Sequence, residues 1–345
     1  MDTVRLALIG FGNVGQGFAQ ILRDQGAAMA QQFGLRLQIV AISDLIKGNL
    51  YDPDGLDPQT LLEAVRKTGR LDEVPAASHG YDALATITHS NADVVIELSN
   101  TDLKTGEPAY THLRTAIAAG KHVVTTNKGP VALHYPELKA LAEEHGVQIG
   151  VEGTVMSGTP TLRLGSELLA AAGINRIQGI INGTTNYILT QMEGGASYSA
   201  ALAGAQAQGY AEADPTGDVE GYDAAGKVVI LANLLMGASL TMADVDRTGI
   251  TALTPQDIAL ARQAGERWKL IGKVERVDGK VIASVRPTRL PLSHPLASVS
   301  GATNAVTFST ALLGDVTLIG PGAGRLETGY ALIGDLLAIH RKSRA

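Results

Sequence analysis

Residues Val4–Gly15 read VRLALIGFGNVG. Val4–Gly10 is a short apolar run rich in β-formers, which suits a buried strand. Glycines follow at Gly10, Gly12 and Gly15 in the spacing G-x-G-x-x-G, and the helical pattern NVGQGFAQILRDQGAAMA begins at once. In such a strand–turn–helix the first glycine allows a tight turn. The second lets a pyrophosphate approach the backbone, and the third lets helix and strand pack closely. N–H groups at the helix start then face the phosphate. Gly10, Phe11, Gly12, Asn13, Val14 and Gly15 are therefore expected to bind a dinucleotide.

Working outward, LRLQIVAIS (Leu35–Ser43) is a second strand that ends at Asp44. DVVIEL (Asp93–Leu98) and HVVTT (His122–Thr126) are further buried-type strands, and EPAYTHLRTAIAAGK and PELKALAEEHG are helices. Strands alternating with helices predict a parallel, doubly wound α/β sheet of Rossmann type, placed at residues 1–150. An acid ending the second strand suits the ribose 2′-hydroxyl of NAD, so Asp44 is a cofactor candidate. Lys47 nearby would instead meet the 2′-phosphate of NADP, and the choice stays open at this stage. Ser99, Asn100 and Thr101 end one strand and Lys128 follows another. Both are positions where ligands of open α/β sheets gather.

From Gly153 the pattern changes to α+β. TPTLRLGSELLAAAG reads as a helix, INRIQGIIN as a strand, and helices follow through DAAGKVVILANLLMG. Asp278-Gly279 between alternating runs signals a type I′ hairpin. The chain closes with VTLIGPGAG and the helix ETGYALIGDLLAIHR.

The 345 residues carry 45% hydrophobic and 18% charged side chains, a net charge of -6 and no cysteine. The acidic balance argues against a nucleic-acid partner or an anionic membrane surface. Lack of cysteine excludes disulfides, thiolate metal sites and a cysteine nucleophile. The 8 histidines show no metal-ligand spacing, so a catalytic transition metal is not expected. VVILANLLMGASL is too short to span a bilayer, and MDTVRLALIG has no secretory character, so a cytoplasmic protein is expected.

The stretch EADPTGDVEGYDAAGK (Glu212–Lys227) crowds acids ahead of one lysine. Asp223 and Lys227 are four apart on a predicted helix and share a face. Beyond Lys227 that helix is apolar almost all round, which marks it as buried. A lysine at the edge of a buried element needs a charged partner. Lys227 is thus the first candidate for acid/base work, with simple capping by Asp223 as the plainer alternative.

TTNKGPVA (Thr125–Ala132), NGTTNYIL (Asn182–Leu189), the Glu212–Lys227 stretch and GPGAG…TG…GDLL (Gly320–Leu337) come in the order found in homoserine dehydrogenases. The chain resembles that family over essentially its whole length. The resemblance implies reversible reduction of L-aspartate 4-semialdehyde to L-homoserine with NADH or NADPH, on the route to threonine, methionine and isoleucine. It implies a dinucleotide-binding domain at 1–150, a substrate-binding and dimerisation domain at 151–310, and a C-terminal segment, 311–345, returning to the first domain. A homodimer follows from it. The C-terminal threonine-binding regulatory domain of many members is not expected here.

Residue by residue, the resemblance makes Glu212 and Asp223 substrate ligands and Asp218 a support for Lys227 or a bridging water. Gly183 and Thr184 border the substrate, and Lys128 stands beside the nicotinamide as an alternative or shared proton carrier. Gly322 and Gly324 bring the C-terminal segment against the cofactor. In EGTVMSGTP, a glutamate and backbone carbonyls at Glu152, Val155, Ser157 and Thr159 would hold a sodium ion, although a glycine hinge is an equal reading there. A nicotinamide oxidoreductase acting on a sugar or on aspartate is the runner-up, and a sugar enzyme would not need the Glu212–Lys227 constellation. A dinucleotide-binding sensor would have little use for Lys128 and Lys227 together.

Overall fold

The computed structural model describes residues 1–344. They form two compact units: Met1–Gly158 together with the segment from Gly324 onwards, and Thr159–Ala323.

The first unit runs β1 (Asp2–Ile9), α1 (Asn13–Phe33), β2 (Leu35–Asp44), β3 (Gly48–Tyr51), α2 (Pro58–Thr68), α3 (Ala83–His89), β4 (Val94–Glu97), α4 (Ala109–Ala118), β5 (His122–Thr125), α5 (Lys128–Glu144) and β6 (Ile149–Gly150). The sheet order is β3-β2-β1-β4-β5-β6. All pairings are parallel except β2 with β3. Chain order reverses between β1 and β4, the switch point at which open α/β sheets take ligands. Side chains of β1 alternate between two cores, as the period of two requires. Leu6 and Leu8 pack with Phe18, Ile42, Leu332 and Leu336. Ala7 and Ile9 pack with Leu113, Ile117, Val123 and Leu138. The sheet is therefore covered on both faces, as the sequence predicts.

The second unit runs α6 (Thr161–Arg163), β7 (Ile174–Ile180), α7 (Gly183–Glu193), α8 (Tyr198–Ala207), α9 (Thr216–Val219), α10 (Tyr222–Met236), β8 (Val245–Arg247), α11 (Pro255–Gln263), β9 (Glu266–Val277), β10 (Lys280–Pro291), β11 (Thr303–Thr310) and β12 (Gly314–Pro321). Its sheet order is β12-β11-β7-β9-β10-β8. Only β8 with β10 is parallel among the described pairings. Asp278 and Gly279 take φ of 50° and 80°, the two positive values that a type I′ turn needs. Lys269 on β9 is fully buried and holds α7: its Nζ donates to Asn186 Oδ1 at 3.1 Å and to the Val299 carbonyl at 2.7 Å. Burial pushes its pKa down to about 8. The chain then returns to the first unit as α12 (Arg325–Lys342). Among the described residues no helix is long and apolar enough to cross a membrane.

Several local expectations differ. Residues 311–323, expected with the C-terminal segment, belong to the second unit, because β12 pairs along β11. Residues 151–158 stay with the first unit, where the Glu152 N–H donates to Asp335 of α12 at 3.0 Å. The single helix expected after Pro160 is broken into Thr161–Arg163, a wider turn Leu164–Leu168 and a tight turn Ala170–Ala172. A bond from the Leu169 N–H to the Leu164 carbonyl, 2.9 Å, sets that wider turn. Helix α5 begins at Lys128, well before the expected start, because Asn127 caps it by accepting from the Gly129 N–H at 3.1 Å.

Candidate active site

In the first unit the turn after β1 has the three properties that the glycine spacing predicts. Gly10 has φ of 104°, and a Cβ there would lie 2.6 Å from the Leu98 carbonyl oxygen. At Gly12 a Cβ would meet nothing within 4 Å, so the space beside this backbone is open. At Gly15 it would lie 3.0 Å from the Gly10 carbonyl oxygen. Gly12 is the N-cap of α1 and offers no side-chain cap, which leaves the helix start to a ligand. Phe11 is fully buried, so its side chain packs in the core. Asn13 is exposed and Val14 half-buried beside it.

Asp44 ends β2, as the sequence predicts. Its Oδ2 accepts from the Phe11 N–H at 2.7 Å, and its Oδ1 accepts from Ile46 N–H at 3.0 Å and Lys47 N–H at 2.8 Å. Burial works to raise its pKa, but these three donors outweigh it and hold the carboxyl below the usual range. Asp44 is thus charged at neutral pH and ties the glycine turn to the end of β2.

The ends of β4 and β5 are locked together. The Asn127 Nδ2 donates to the carbonyls of Ser99 and Asn100, each at 3.1 Å. The Ser99 N–H donates to Glu97 Oε1 at 3.0 Å, and Thr125 Oγ1 donates to the Glu97 carbonyl at 3.0 Å. Glu97 is fully buried and has His112 Nδ1 at 3.3 Å. This network, which the sequence reading passed over, fixes Ser99 and Asn100 at the carboxyl ends of the strands, with Thr101 exposed and Lys128 half-buried next in the chain.

In the second unit Lys227 is buried, with its side chain 10% exposed. Its Nζ lies 2.8 Å from Asp223 Oδ2 and donates to the Ile181 carbonyl at 2.8 Å. Asn182 joins the acids: its Nδ2 donates to Asp218 Oδ1 at 2.7 Å and to Asp223 Oδ2 at 3.0 Å. Gly183 opens α7, and Thr184 donates to the Tyr210 carbonyl at 2.7 Å. A Cβ on Gly183 would lie 2.6 Å from the Ala302 carbonyl oxygen. Lys227, Asp223 and Asp218 are thus brought together by a residue absent from the predicted set. Glu212 is exposed and stands outside this network. Its carbonyl accepts from Gln206 at 3.1 Å.

This geometry sits within a chain matched along nearly its whole length by known sequences. The profile of the homoserine dehydrogenase NAD-binding domain matches residues 10–152, and that of homoserine dehydrogenase matches residues 160–337. An NAD(+)-dependent homoserine dehydrogenase of Pseudomonas canavaninivorans is 48% identical over 99% of this chain and 98% of its own. A homoserine dehydrogenase of Methanocaldococcus jannaschii is 41% identical over 98% and 99%. The crystal structure of a homoserine dehydrogenase from Thiobacillus denitrificans superposes with a TM-score of 0.86 at 32% identity, covering 100% of this chain and 74% of that one. The chain belongs to the homoserine dehydrogenase family.

The remaining predicted positions fall as follows. Gly324 caps α12 with φ of 138° in the first unit. Gly322 lies in the second unit, packed so closely on Asn304 that a Cβ would sit 2.0 Å from its Nδ2. Glu152, Val155 and Ser157 are all buried. Carboxylate and carbonyl oxygens are donor types that suit hard cations. Thr159 fits less well, since its carbonyl already accepts from Thr161 N–H at 2.7 Å and Thr161 Oγ1 at 3.2 Å. Among the described residues no three His, Cys, Asp or Glu side chains group as a metal site.

Asp218 carries a pH signature. Burial pushes its carboxyl above the ordinary 3.8, and the Asp223 charge adds to this, against the Asn182 bond and Lys227. The fold therefore favours the neutral form of this acid more than water does. Its stability contribution is therefore full below 3.8 and is lost as pH rises through the raised value. Asp218→Asn, which cannot ionise, should melt higher relative to the unsubstituted protein at about pH 7 than at about pH 3.5. Equal differences in Tm at the two pH values would contradict this.

Proposed function

We propose that the chain is a homoserine dehydrogenase that interconverts L-aspartate 4-semialdehyde and L-homoserine with a nicotinamide dinucleotide, in threonine, methionine and isoleucine supply in the cytoplasm. The observation that carries the reading is the buried Lys227, held at 2.8 Å by Asp223 in line with Asn182 and Asp218. A reduced nicotinamide supplies the hydride to the aldehyde carbon. Lys227 protonates the oxygen on which charge develops and takes the proton back in the reverse direction. Asp223 keeps the ammonium in place, and Asp218 supports it from α9. Glu212, with Asp223, receives the substrate ammonium through charge-assisted bonds, and Gly183 and Thr184 border the bound molecule. Lys128, at the carboxyl end of β5, is the alternative proton carrier.

Asp44 supports NAD over NADP. A carboxylate held ionised by three backbone N–H groups would repel a 2′-phosphate and accept from a 2′-hydroxyl. Gly10, Phe11, Gly12, Asn13, Val14 and Gly15 take the pyrophosphate side, with Ser99, Asn100, Thr101 and Gly324 near the dinucleotide. Gly322, locked against Asn304, is a structural position in this reading. Sodium is proposed at Glu152 with the carbonyls of Val155 and Ser157. A homodimer is also part of the reading, and a monomer in analytical ultracentrifugation would refute that part.

The test is the initial rate with aspartate 4-semialdehyde and either NADH or NADPH, and with homoserine in reverse at alkaline pH. Turnover in both directions with higher kcat/KM for NADH is expected. Binding of NADH without turnover would overturn the activity, and a preference for NADPH would overturn the role of Asp44. Substituting a bulky organic cation for sodium in the same assay should lower the rate, and an unchanged rate removes the ion.

A further inference from the structure

Two carboxylates and one lysine meet in the second unit, and like charges in a half-buried site drive each other apart unless something donates to both. Asn182 is that donor. It is 4% exposed, and its Nδ2 carries two protons. One goes to Asp218 Oδ1 at 2.7 Å and the other to Asp223 Oδ2 at 3.0 Å. The same Asp223 oxygen faces Lys227 Nζ at 2.8 Å, and that Nζ also donates to the carbonyl of Ile181, the neighbour of Asn182. The lysine and both acids are therefore referred to one short piece of chain.

The other end of the amide is equally engaged. Asn182 Oδ1 accepts from the Thr185 N–H and from Thr185 Oγ1, each at 2.9 Å, and so caps α7. The charged groups facing Asn182 are Asp218 from α9 and Asp223 and Lys227 from α10. On its own helix its side-chain oxygen bonds the neutral Thr185.

We propose that Asn182 is a positioning residue for the reaction: its amide is a neutral clamp with two donors that holds Asp218 and Asp223 in register around Lys227, while its carbonyl roots the clamp in α7. The side chain suits this task by elimination. Aspartate offers an acceptor for the cap but no donor, serine offers the cap and one O–H, and alanine offers neither. Without the second donor, one of the two acids must take up a proton or move. Either change alters the setting of Lys227 and leaves the dinucleotide site untouched. The proposal rests on the reading of Lys227, Asp223 and Asp218 as reaction machinery.

The experiment is kinetics of Asn182→Ser across pH, with thermal melting alongside. Because serine is as good an N-cap, the cap on α7 is kept, and Tm should fall only by the several degrees that the lost amide bonds cost. The kcat should fall on the order of 10- to 100-fold, KM for NAD should hold, and the acid limb of the pH–rate profile should move upward. On an Asp218→Asn background the same substitution should cost less, because the paired charge is gone. Asn182→Asp, which keeps the cap and loses both donors, is the second variant and should show the same upward shift. An unchanged acid limb in both variants, even with lower kcat, overturns the clamp and leaves a helix cap. If Lys227→Ala were active, the underlying site reading would fail instead. An inactive Lys227→Ala beside unaffected Asn182 variants would remove the clamp alone.

Discussion

Lys227→Ala should lower kcat by about 10²–10⁴-fold, the range that a positioned general acid or base supplies, with dinucleotide affinity nearly intact. The expectation follows from placement. The ammonium is buried beside Asp223 and the Ile181 carbonyl in the second unit, whereas the glycine turn, Asp44 and the Ser99 loop lie in the first. Removing it would take away the proposed proton carrier and leave the proposed nucleotide-binding groups as they were. Initial rates in both directions, with a fluorescence titration of NADH, check the result. Turnover close to that of the unsubstituted protein would transfer the proton to Lys128. Lys227→Met, which keeps most of the buried volume, separates lost chemistry from lost packing.

Gly12→Val should abolish useful dinucleotide binding in a protein that still folds. A Cβ at Gly12 meets no atom within 4 Å, and its φ of -73° suits any L-residue. The added side chain therefore has room in the free protein and would fill the space proposed for the pyrophosphate. Losing one or two charge-assisted backbone contacts weakens Kd by roughly 10- to 100-fold or more. The melting temperature should move by only a few degrees. Gly10→Val is the contrasting case. Its Cβ would press on the Leu98 carbonyl at 2.6 Å with φ of 104°, so stability should fall before binding can be measured. If Gly12→Val bound NADH normally, the phosphates would have to lie elsewhere.

Much of this was legible one residue at a time. Periodicity placed β1 and α1, and the Asp278-Gly279 pair set the hairpin because few residues accept positive φ twice in succession. The all-round apolar character of the helix after Lys227 marked a buried element, and α10 is buried along most of its length. The acid–lysine spacing of four gave the Asp223–Lys227 pair, since a helix brings those positions to one face.

Other features had no local signal. The antiparallel return of β3 beside β2 hangs on Asn49, whose Oδ1 accepts from Ser43 Oγ at 3.0 Å and from Asp44 N–H at 3.2 Å. A polar residue in a strand of 4 residues does not announce that role. The break in the helix after Pro160 depends on what packs there: a Cβ on Gly165 would lie 2.7 Å from Leu235 of α10. The chain NGTTNYIL pointed to Gly183 and Thr184, yet the amide that organises the acids is the asparagine just before them.

The sequence by itself determined the strand–turn–helix that admits a dinucleotide, the acid at the end of β2, the order of the elements and the buried lysine with its partner four residues away. These rest on interactions between neighbours in the chain, where backbone geometry fixes which side chains meet. Only the tertiary structure decided that Asp44 binds the glycine turn 33 positions away and that Asn182 reaches Asp218 and Asp223, 36 and 41 positions along. The reason is physical: a hydrogen bond of under about 3.2 Å needs two atoms set to within a few tenths of an ångström, and over such separations that precision comes from the packed sheets and helices, with no periodic trace in the sequence.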